Sequence, residues 1–342
     1  MTMKLRDYII RRLLLLIPVL IGISFITFVL SHMIGDPAAA WLSEKTAGQE
    51  QIVKEIRKAH HLDDPIFIQY YYYFVDLSKL DLGRTGRNEG GRPVADALRD
   101  YFPATLELAI IGMILALIIG IPLGILSAIY KDKFIDHIVR LFALMGVSMP
   151  VFWLGLILKY WLSFKLNLLP LDGRLPYTVP PPPSVTGMYT IDALLAGQWD
   201  TFFIALKHAL LPSFCLALIT MAIITRMMRS SMLETMTQDF IRTARAKGLS
   251  ERVVVMKHAL RNALTPTTTV AGLSFGGLLS GAVMTETIFA WPGIGRFSVN
   301  AIGSTDFASI MGFALLIVVI YVFSNLVVDI LYVYLDPRVK YG

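Results

Sequence analysis

The 342-residue sequence has one cysteine, Cys215, set in an apolar run, so an internal disulfide framework is excluded. It has no Gly-x-x-x-x-Gly-Lys-[Ser/Thr] phosphate loop, so the chain carries no ATP site of that kind. Its six histidines (His32, His60, His61, His137, His208, His258) show no metal-site spacing, and the adjacent His60 and His61 are read as a solvated loop. No resident cofactor or metal is expected. Charge is also scarce. Only 16% of the residues are charged and 55% are hydrophobic, whereas a soluble domain carries about 25% charged residues. An integral membrane protein in contact with the lipid bilayer is the class that fits. The net charge of +6 is explained by cytoplasmic loops, and no nucleic-acid partner is expected.

What the sequence has instead is long apolar runs. Six segments, roughly 11–32, 104–129, 137–162, 207–226, 266–289 and 310–334, meet the need for about 20 apolar residues per membrane helix. The apolar run of the first follows Lys4, Arg6, Arg11 and Arg12 and precedes Ala38-Ala39-Ala40, as a secretory signal does. That run, 13–30, is 18 residues long, beyond the roughly 7 to 15 of a signal core, and it is read as a retained span. Lys207, His208 and Pro212 make the fourth the least clean, and a start near Ala209 removes the difficulty. Basic residues in the short loops favour an inside N-terminus: Lys131, Lys133 and Arg140 lie around the short turn between the second and third spans, and Arg338 and Lys340 in the tail. Both termini are then cytoplasmic. The expected organisation is a cytoplasmic start with the first helix over 1–32 and an extracytoplasmic segment over 33–103. A transmembrane core over 104–334 follows, with a cytoplasmic loop at 227–265, and a tail over 335–342 ends the chain.

In the first outer segment, Ile52, Ile56 and Ala59 share one helical face that Asp64-Pro65 ends. The aromatic cluster Phe67–Phe74 reads as a belt helix at headgroup level rather than a ligand cage. The Gly- and Arg-rich stretch Gly83–Pro93 reads as a mobile loop, and Pro180–Pro183 as a stiff spacer. Pro18, Pro122, Pro150 and Pro212 fall within or near spans, where neighbouring helices can satisfy the freed carbonyls. In the fifth span Gly272, Gly276 and Ser280 repeat every four residues, as do Gly277 and Gly281, a spacing that serves either tight packing or a pore lining. Charges near the membrane need a reason. Glu107, four residues after Pro103, reads as a carboxylate opposing a helix dipole at a helix start, and Lys159 can snorkel outward. Glu286, at the outer end of the fifth span, and Asp329, one turn after Asn325 in the last, admit two readings. Each is a structural pairing with a neighbouring helix or a gate or translocation contact.

The most polar stretch inside the apolar core is 232–266. Between Arg226 and Arg261 stand eight basic residues against Glu234, Asp239 and Glu251. Asp239 to Lys247 reads as a helix with Phe240, Ile241 and Ala244 on one face and Arg242, Arg245 and Lys247 on the others. Gly248 ends it, and Ser250 is placed to cap a second helix, Glu251–Leu264, that runs back to Pro266 and the fifth span. Such a loop can dock a protein, bind anionic lipid, or simply connect two spans.

This loop resembles the cytoplasmic signature loop of permeases of ATP-binding-cassette importers. Aligned on Gly248, only Ala244 and Leu260 match the general pattern. The run Arg242-Thr243-Ala244-Arg245-Ala246-Lys247-Gly248-Leu249, followed by His258-Ala259-Leu260-Arg261-Asn262-Ala263-Leu264, is similar to the subfamily for peptides, opines and nickel. Further pieces agree in order and spacing: Arg11-Arg12-Leu13-Leu14, Gly35-Asp36-Pro37, Asp81-Leu82-Gly83, Pro103 to Leu108, Ser148-Met149-Pro150, Arg229 to Glu234, Glu286 to Phe289, Trp291 to Gly295 and Asp336-Pro337-Arg338. Ala308 departs from it, standing where the family usually has proline.

The resemblance implies an all-α type I importer permease with six transmembrane helices, in the plasma or inner membrane of a prokaryote. An outer loop domain lies between helices 1 and 2 and a coupling helix between helices 4 and 5. It implies no catalytic residue, a second homologous permease subunit (usually a different one), two ATPase subunits and an extracytoplasmic solute-binding protein. Phe240, Ile241, Arg242, Ala244, Arg245, Lys247 and Gly248 are the expected ATPase contact, and Gly83–Pro93 and Trp291–Asp306 the expected contact with the binding protein. Peptides are the favoured solute, with nickel chelates, opines or oligosaccharides as alternatives. Two other classes remain: a secondary transporter or channel, against which stand the few buried charges and the lack of evident inverted halves, and a scaffold whose basic loop binds anionic lipid.

Overall fold

The computed structural model of the chain describes residues 5–34, 54–55, 57–58, 61–86 and 89–335. The expected face of Ile52, Ile56 and Ala59, and the stretches Gly35-Asp36-Pro37 and Asp336-Pro337-Arg338, lie outside them. Among the described residues, regular structure is helical apart from one antiparallel bridge between Arg84 and Pro93. In chain order the helices are α1 (Leu5–Ile34), α2 (Ile66–Ser78), α3 (Val94–Ile129), α4 (Phe134–Ser148), α5 (Val151–Leu158), α6 (Tyr189–Leu195), α7 (Trp199–Met236), α8 (Asp239–Ala246), α9 (Glu251–Val253), α10 (Leu260–Ile288), α11 (Ile294–Gly303) and α12 (Phe307–Leu335). Two π-helical segments, Lys159–Lys165 and Val254–Ala259, extend α5 and join α9 to α10. The chain divides into two compact units: Met1–Thr105 with Pro292–Phe323, and Leu106–Trp291 with Ser324–Lys340.

In the first unit the aromatic cluster is indeed a helix, α2. Phe28 of α1 meets Tyr70 and Tyr73 at ring-centroid distances of 5.5 and 5.4 Å, and the Ser24 and Tyr70 hydroxyls share a 2.9 Å hydrogen bond. Phe67 and Tyr71 point away and stay exposed. The stretch expected to be a mobile loop is tied down among its described residues. Thr85 N–H donates to Arg92 O (2.9 Å), Arg84 Nη1 to Gly91 O (3.0 Å) and Val94 N–H to Gly83 O (3.0 Å). The carboxylate of Asp306, just before α12, accepts the amide of Gly86 (2.5 Å) and both the amide (3.2 Å) and hydroxyl (2.6 Å) of Ser309. One side chain thus caps a helix and fastens a hairpin. Ala308 is buried beside it, and a Cβ on Gly83 would lie 3.2 Å from that of Ala308, so the turn closes tightly without the family's proline.

The second unit is built around α7. On α3, Gly112, Ala116, Gly120 and Gly124 recur every four residues, so α7 comes close enough for backbone contact. A Cβ on Gly120 would stand 3.1 Å from Met221 O, and one on Gly124 2.8 Å from Thr225 O and 2.6 Å from Met228 Cβ. Ala116, Ala217, Met221, Ile224 and Ala271 fill the seam where α10 joins. Gly146 brings α4 in the same way, its missing Cβ 3.2 Å from that of Ala222.

Three expectations are corrected. The third span is not one helix: α4 and the α5 segment meet at 109°, because Pro150 pushes Met149 out of the helical region to φ −82°, ψ 129°. α3 begins at Val94, so Pro103 and Glu107 lie in its interior and Glu107 does not face a helix start. The second loop helix does not end at Leu264: Pro266 sits inside α10, and the helix continues into the fifth span, just as α7 runs on to Met236. By length and hydropathy, three helices among the described residues could cross a membrane: Val94–Ile129, Trp199–Met236 and Phe307–Ser324. Counting the bent pairs Phe134–Ser148 with Val151–Lys165 and Glu251–Ser280 with Ala282–Ile288 raises this to five. The first expected span lies within α1, whose apolar helix Ile17–Val29 is shorter.

The seam makes a prediction. Gly124→Val forces apart two backbones already in contact and is expected to cost about 1–3 kcal/mol. Gly277→Ala, whose Cβ would meet nothing within 4 Å, is expected to leave stability unchanged. Thermal unfolding of the purified chain in detergent compares them, and equal melting temperatures would show that the seam is not so tight.

Candidate functional site

The site grows from the polar end of α7. Helix α7 has 38 residues, about 57 Å at ~1.5 Å per residue, against a hydrocarbon thickness of ~30 Å. Even tilted, it is longer than a bilayer's apolar layer, and its last turns, which carry Arg226, Arg229 and Glu234, lead into α8. α8 is strongly two-sided. Ile241 (0% exposed) and Ala244 turn inward, packing with Met228 and Met232 of α7 and with Val254, Val255, Ala259 and Ala263 of the returning arm. Phe240 (39% exposed), Arg242, Lys247, Gly248 and Leu249 face outward. Of the expected contact residues, Ile241 and Ala244 therefore hold the helix to its own chain, and the rest form its outer surface.

Gly248 closes the tip at φ +73°, in the left-handed region, with nothing within 4 Å of where a Cβ would stand. Across that turn the Arg245 guanidinium donates twice to Glu251, at 2.6 and 3.1 Å, so it serves first as a clamp between α8 and α9. Arg242 reaches Asp239 at 3.3 Å in full solvent. Ser250 holds the N-cap position of α9, though its side chain makes no capping bond.

At the base of this arm lies an ion pair that the sequence does not announce. Asp136 of α4 is fully buried and accepts Arg229 Nε and Nη2 of α7 (2.8 and 2.7 Å), Ser127 Oγ of α3 (2.5 Å) and the amide of Asp132 (3.0 Å). Three helices are thereby fixed to one carboxylate. The usable signal is an aspartate just inside an apolar run, with arginine on a neighbouring span.

A second buried pair joins α3 to the loop before α6. Arg174 donates to Glu107 Oε2 through Nη2 (2.6 Å) and Nε (3.2 Å), while the amide and hydroxyl of Thr190 donate to Oε1 (2.7 and 2.8 Å). Arg174 also lies 3.5 Å from the ring centre of Tyr189. Burial pushes the nearby Asp192 carboxyl up, but the amide and hydroxyl of Thr186 and the amide of Gly187 more than offset this and hold it below the ordinary carboxylate range. Its contribution to loop stability is complete above that range and is lost as pH falls through the lowered value. Lys159 does not reach freely outward; it donates to Asp172 and to the carbonyl of Ile288, both at 2.6 Å.

Glu286 is fully buried on α10, away from the α8 surface, and its carbonyl accepts the Trp291 amide at 2.8 Å. The side chains of Asn325 and Asp329, on α12, lie outside the described residues. No group of three His, Cys, Asp or Glu able to hold a metal occurs among the described residues.

Residues 120–341 match a family described as binding-protein-dependent transport system inner membrane component, and residues 5–109 match its N-terminal counterpart. The chain is 48% identical to the probable D,D-dipeptide transport system permease protein DdpB of Escherichia coli K12, over 96% of this chain and 95% of that protein. It is 45% identical to the dipeptide transport system permease protein DppB of Alkalihalophilus pseudofirmus, over 98% and 99%. With the oligopeptide transport system permease protein AppB of Bacillus subtilis 168 it shares 37% identity, again over 98% and 99%. A chain of the inward-facing MetNI methionine ABC transporter superimposes with a TM-score of 0.50 at 17% identity, covering 68% of this chain and 93% of that one. That likeness is one of fold alone.

The two kinds of ion pair predict opposite outcomes. Arg174→Ala leaves Glu107 buried without its cation and is expected to cost about 3–5 kcal/mol. Arg242→Ala, at an exposed pair, is expected to cost under about 1 kcal/mol. Melting temperatures in detergent read both, and a small shift for Arg174→Ala would contradict the burial argument.

Proposed function

The chain belongs to the family of binding-protein-dependent transport system inner membrane components, and on that footing we propose that it is the permease subunit of an ATP-driven importer of di- or oligopeptides. In such a system the membrane component is not the enzyme, and ATP hydrolysis falls to separate subunits. The names of its relatives support peptides as the solute, and the fold shared with a methionine importer supports a type I permease architecture. In this reading α1, α3, the bent α4–α5 pair, α7, α10 and α12 make six spans. The α8 side and both termini are cytoplasmic, in keeping with the basic residues gathered there. The chain forms half of the path beside a second, homologous permease. Two ATPases sit beneath, and a solute-binding protein docks outside on the Gly83–Pro93 hairpin and the Trp291–Asp306 segment. Glu286, Asn325 and Asp329 are retained as candidate gate or path contacts.

The observation that carries the reading is the two-sidedness of α8. Ile241 and Ala244 lock it to α7 and to the returning arm, so it cannot swing independently, while Phe240, Arg242, Lys247, Gly248 and Leu249 stand free for a partner. A push on that surface is delivered to α7 and α10 as rigid bodies. ATP-driven closure of the ATPase pair supplies the push and rocks the spans from inward-facing to outward-facing.

Two variants test it with the partner subunits present. Phe240→Asp places a charge on the free surface without touching the inward face, and is expected to strip the ATPases during purification. Gly248→Val, in left-handed geometry costing about 1–2 kcal/mol, is expected to insert normally but to hydrolyse ATP without peptide uptake in vesicles, while Gly248→Asn retains uptake. Normal uptake by Gly248→Val would refute the lever, and ATPases still bound to Phe240→Asp would refute the docking surface.

A further inference from the structure

Between α4 and α7, next to the buried Asp136–Arg229 pair, lies an open cavity of about 550 Å³. One end is basic. Arg140 of α4 and Arg226 and Arg229 of α7 line it, with His137 alongside. Asp136 neutralises Arg229. Arg140 and Arg226 have no ion-pair or hydrogen-bond partner among the described residues, so two guanidinium groups face the cavity uncompensated. The other end is apolar: Leu141, Leu144 and Val147 follow Arg140 along the same face of α4 and are 55%, 62% and 43% exposed.

Position decides what this gradient can hold. Residue 140 lies two turns into α4, and the apolar wall extends from it for another seven residues, ~10 Å, towards the middle of the membrane. Arginines at this depth are costly unless an anion meets them. Their planar, forked donors suit phosphate oxygens. An inorganic anion or a peptide carboxylate would use the basic end and leave the leucine wall exposed. A phospholipid uses both ends, with its phosphodiester at the arginines and an acyl chain along the wall, as basic pockets between spans on the cytoplasmic side do.

We propose that this cavity is a binding site for one anionic phospholipid, its phosphodiester held by Arg140 and Arg226 and one acyl chain laid against Leu141, Leu144 and Val147. Its assignment to the inner leaflet rests on the cytoplasmic placement of α8 proposed above; the binding itself does not. The lipid would brace α4 against α7 beside the Asp136 junction, where the projecting part of α7 leaves the membrane.

Native mass spectrometry of the intact transporter tests this, after exchange into mixtures of phosphatidylglycerol and phosphatidylcholine. The wild-type complex is expected to keep one phosphatidylglycerol at this chain that phosphatidylcholine does not replace. Arg140→Gln with Arg226→Gln is expected to weaken retention roughly 30-fold, from two cations near a lipid phosphate. Leu144→Glu, which sets a carboxylate in the cavity, is expected to expel the lipid independently. Retention unchanged in both variants, equal retention of phosphatidylcholine, or displacement by excess inorganic phosphate or by a dipeptide would each overturn the proposal. The lipid count needs neither ATP nor uptake, so failure of the importer reading, read from missing ATPases or absent uptake, is separable from failure of this site.

Discussion

The backbone contact between α3 and α7 is the constraint on which the rest of the second unit depends. Four small residues, Gly112, Ala116, Gly120 and Gly124, remove every side chain that would hold the two helices apart. In lipid, where apolar side chains gain little by leaving one hydrocarbon for another, such close packing is what makes two helices prefer each other. The result is that α7 cannot bend or shift separately from α3. A helix about 57 Å long, gripped along its membrane portion, is a rod, and whatever is fixed to its end moves with it. α8 is fixed to that end through Ile241 and Ala244.

The two buried ion pairs take their meaning from the same rod. Glu107 and Ser127, which bind Arg174 and Asp136 respectively, stand 20 residues apart on α3, or ~30 Å, close to the thickness of the hydrocarbon core. The spacing of the two pairs thus matches the thickness of that apolar layer. Desolvation consumes much of what a buried pair gains, so their value lies in geometry. Each joins a polar connection to the bundle at one fixed place. Asp136 is the tighter of the two, because three helices and a turn converge on it.

The membrane class, the family and the polar stretch after α7 are legible in the composition, the apolar runs and the motif. What stays hidden there is whatever depends on the partner of a residue rather than on its type. Pro150, Pro212 and Pro266 look alike in sequence. Only Pro150 breaks its helix, while Pro212 and Pro266 are absorbed inside α7 and α10. Glu107 reads as a helix-start carboxylate because Arg174, 67 residues away in sequence, gives no local sign of being its partner. The small-residue repeat draws the eye on α10, whose Gly277 faces open space, whereas the repeat that binds the fold together lies on α3. On α8 the periodicity places Phe240, Ile241 and Ala244 on one face, but only Ile241 and Ala244 turn inward and Phe240 stands outward. Which of them the chain buries for itself follows only from where α7 and the returning arm end up.

That division on α8 also explains why its tip is a glycine turn and not a longer loop. In the proposed lever, a partner's push is passed on only if α8 neither slides along α7 nor pivots about its own ends. Burial of Ile241 and Ala244 prevents sliding. Pivoting is limited by the short turn at Gly248, which leaves α9 no slack, and by the Arg245–Glu251 clamp that spans it. As an exposed pair the clamp adds little to stability, yet it selects one direction for the tip among those the left-handed turn permits. The returning arm is less regular. Its π-helical segment, Val254–Ala259, directs Val254, Val255 and Ala259 together onto the buried face of α8. Two connections thus lead from α8 into the bundle, the continuous helix α7 and the π-wound arm into α10.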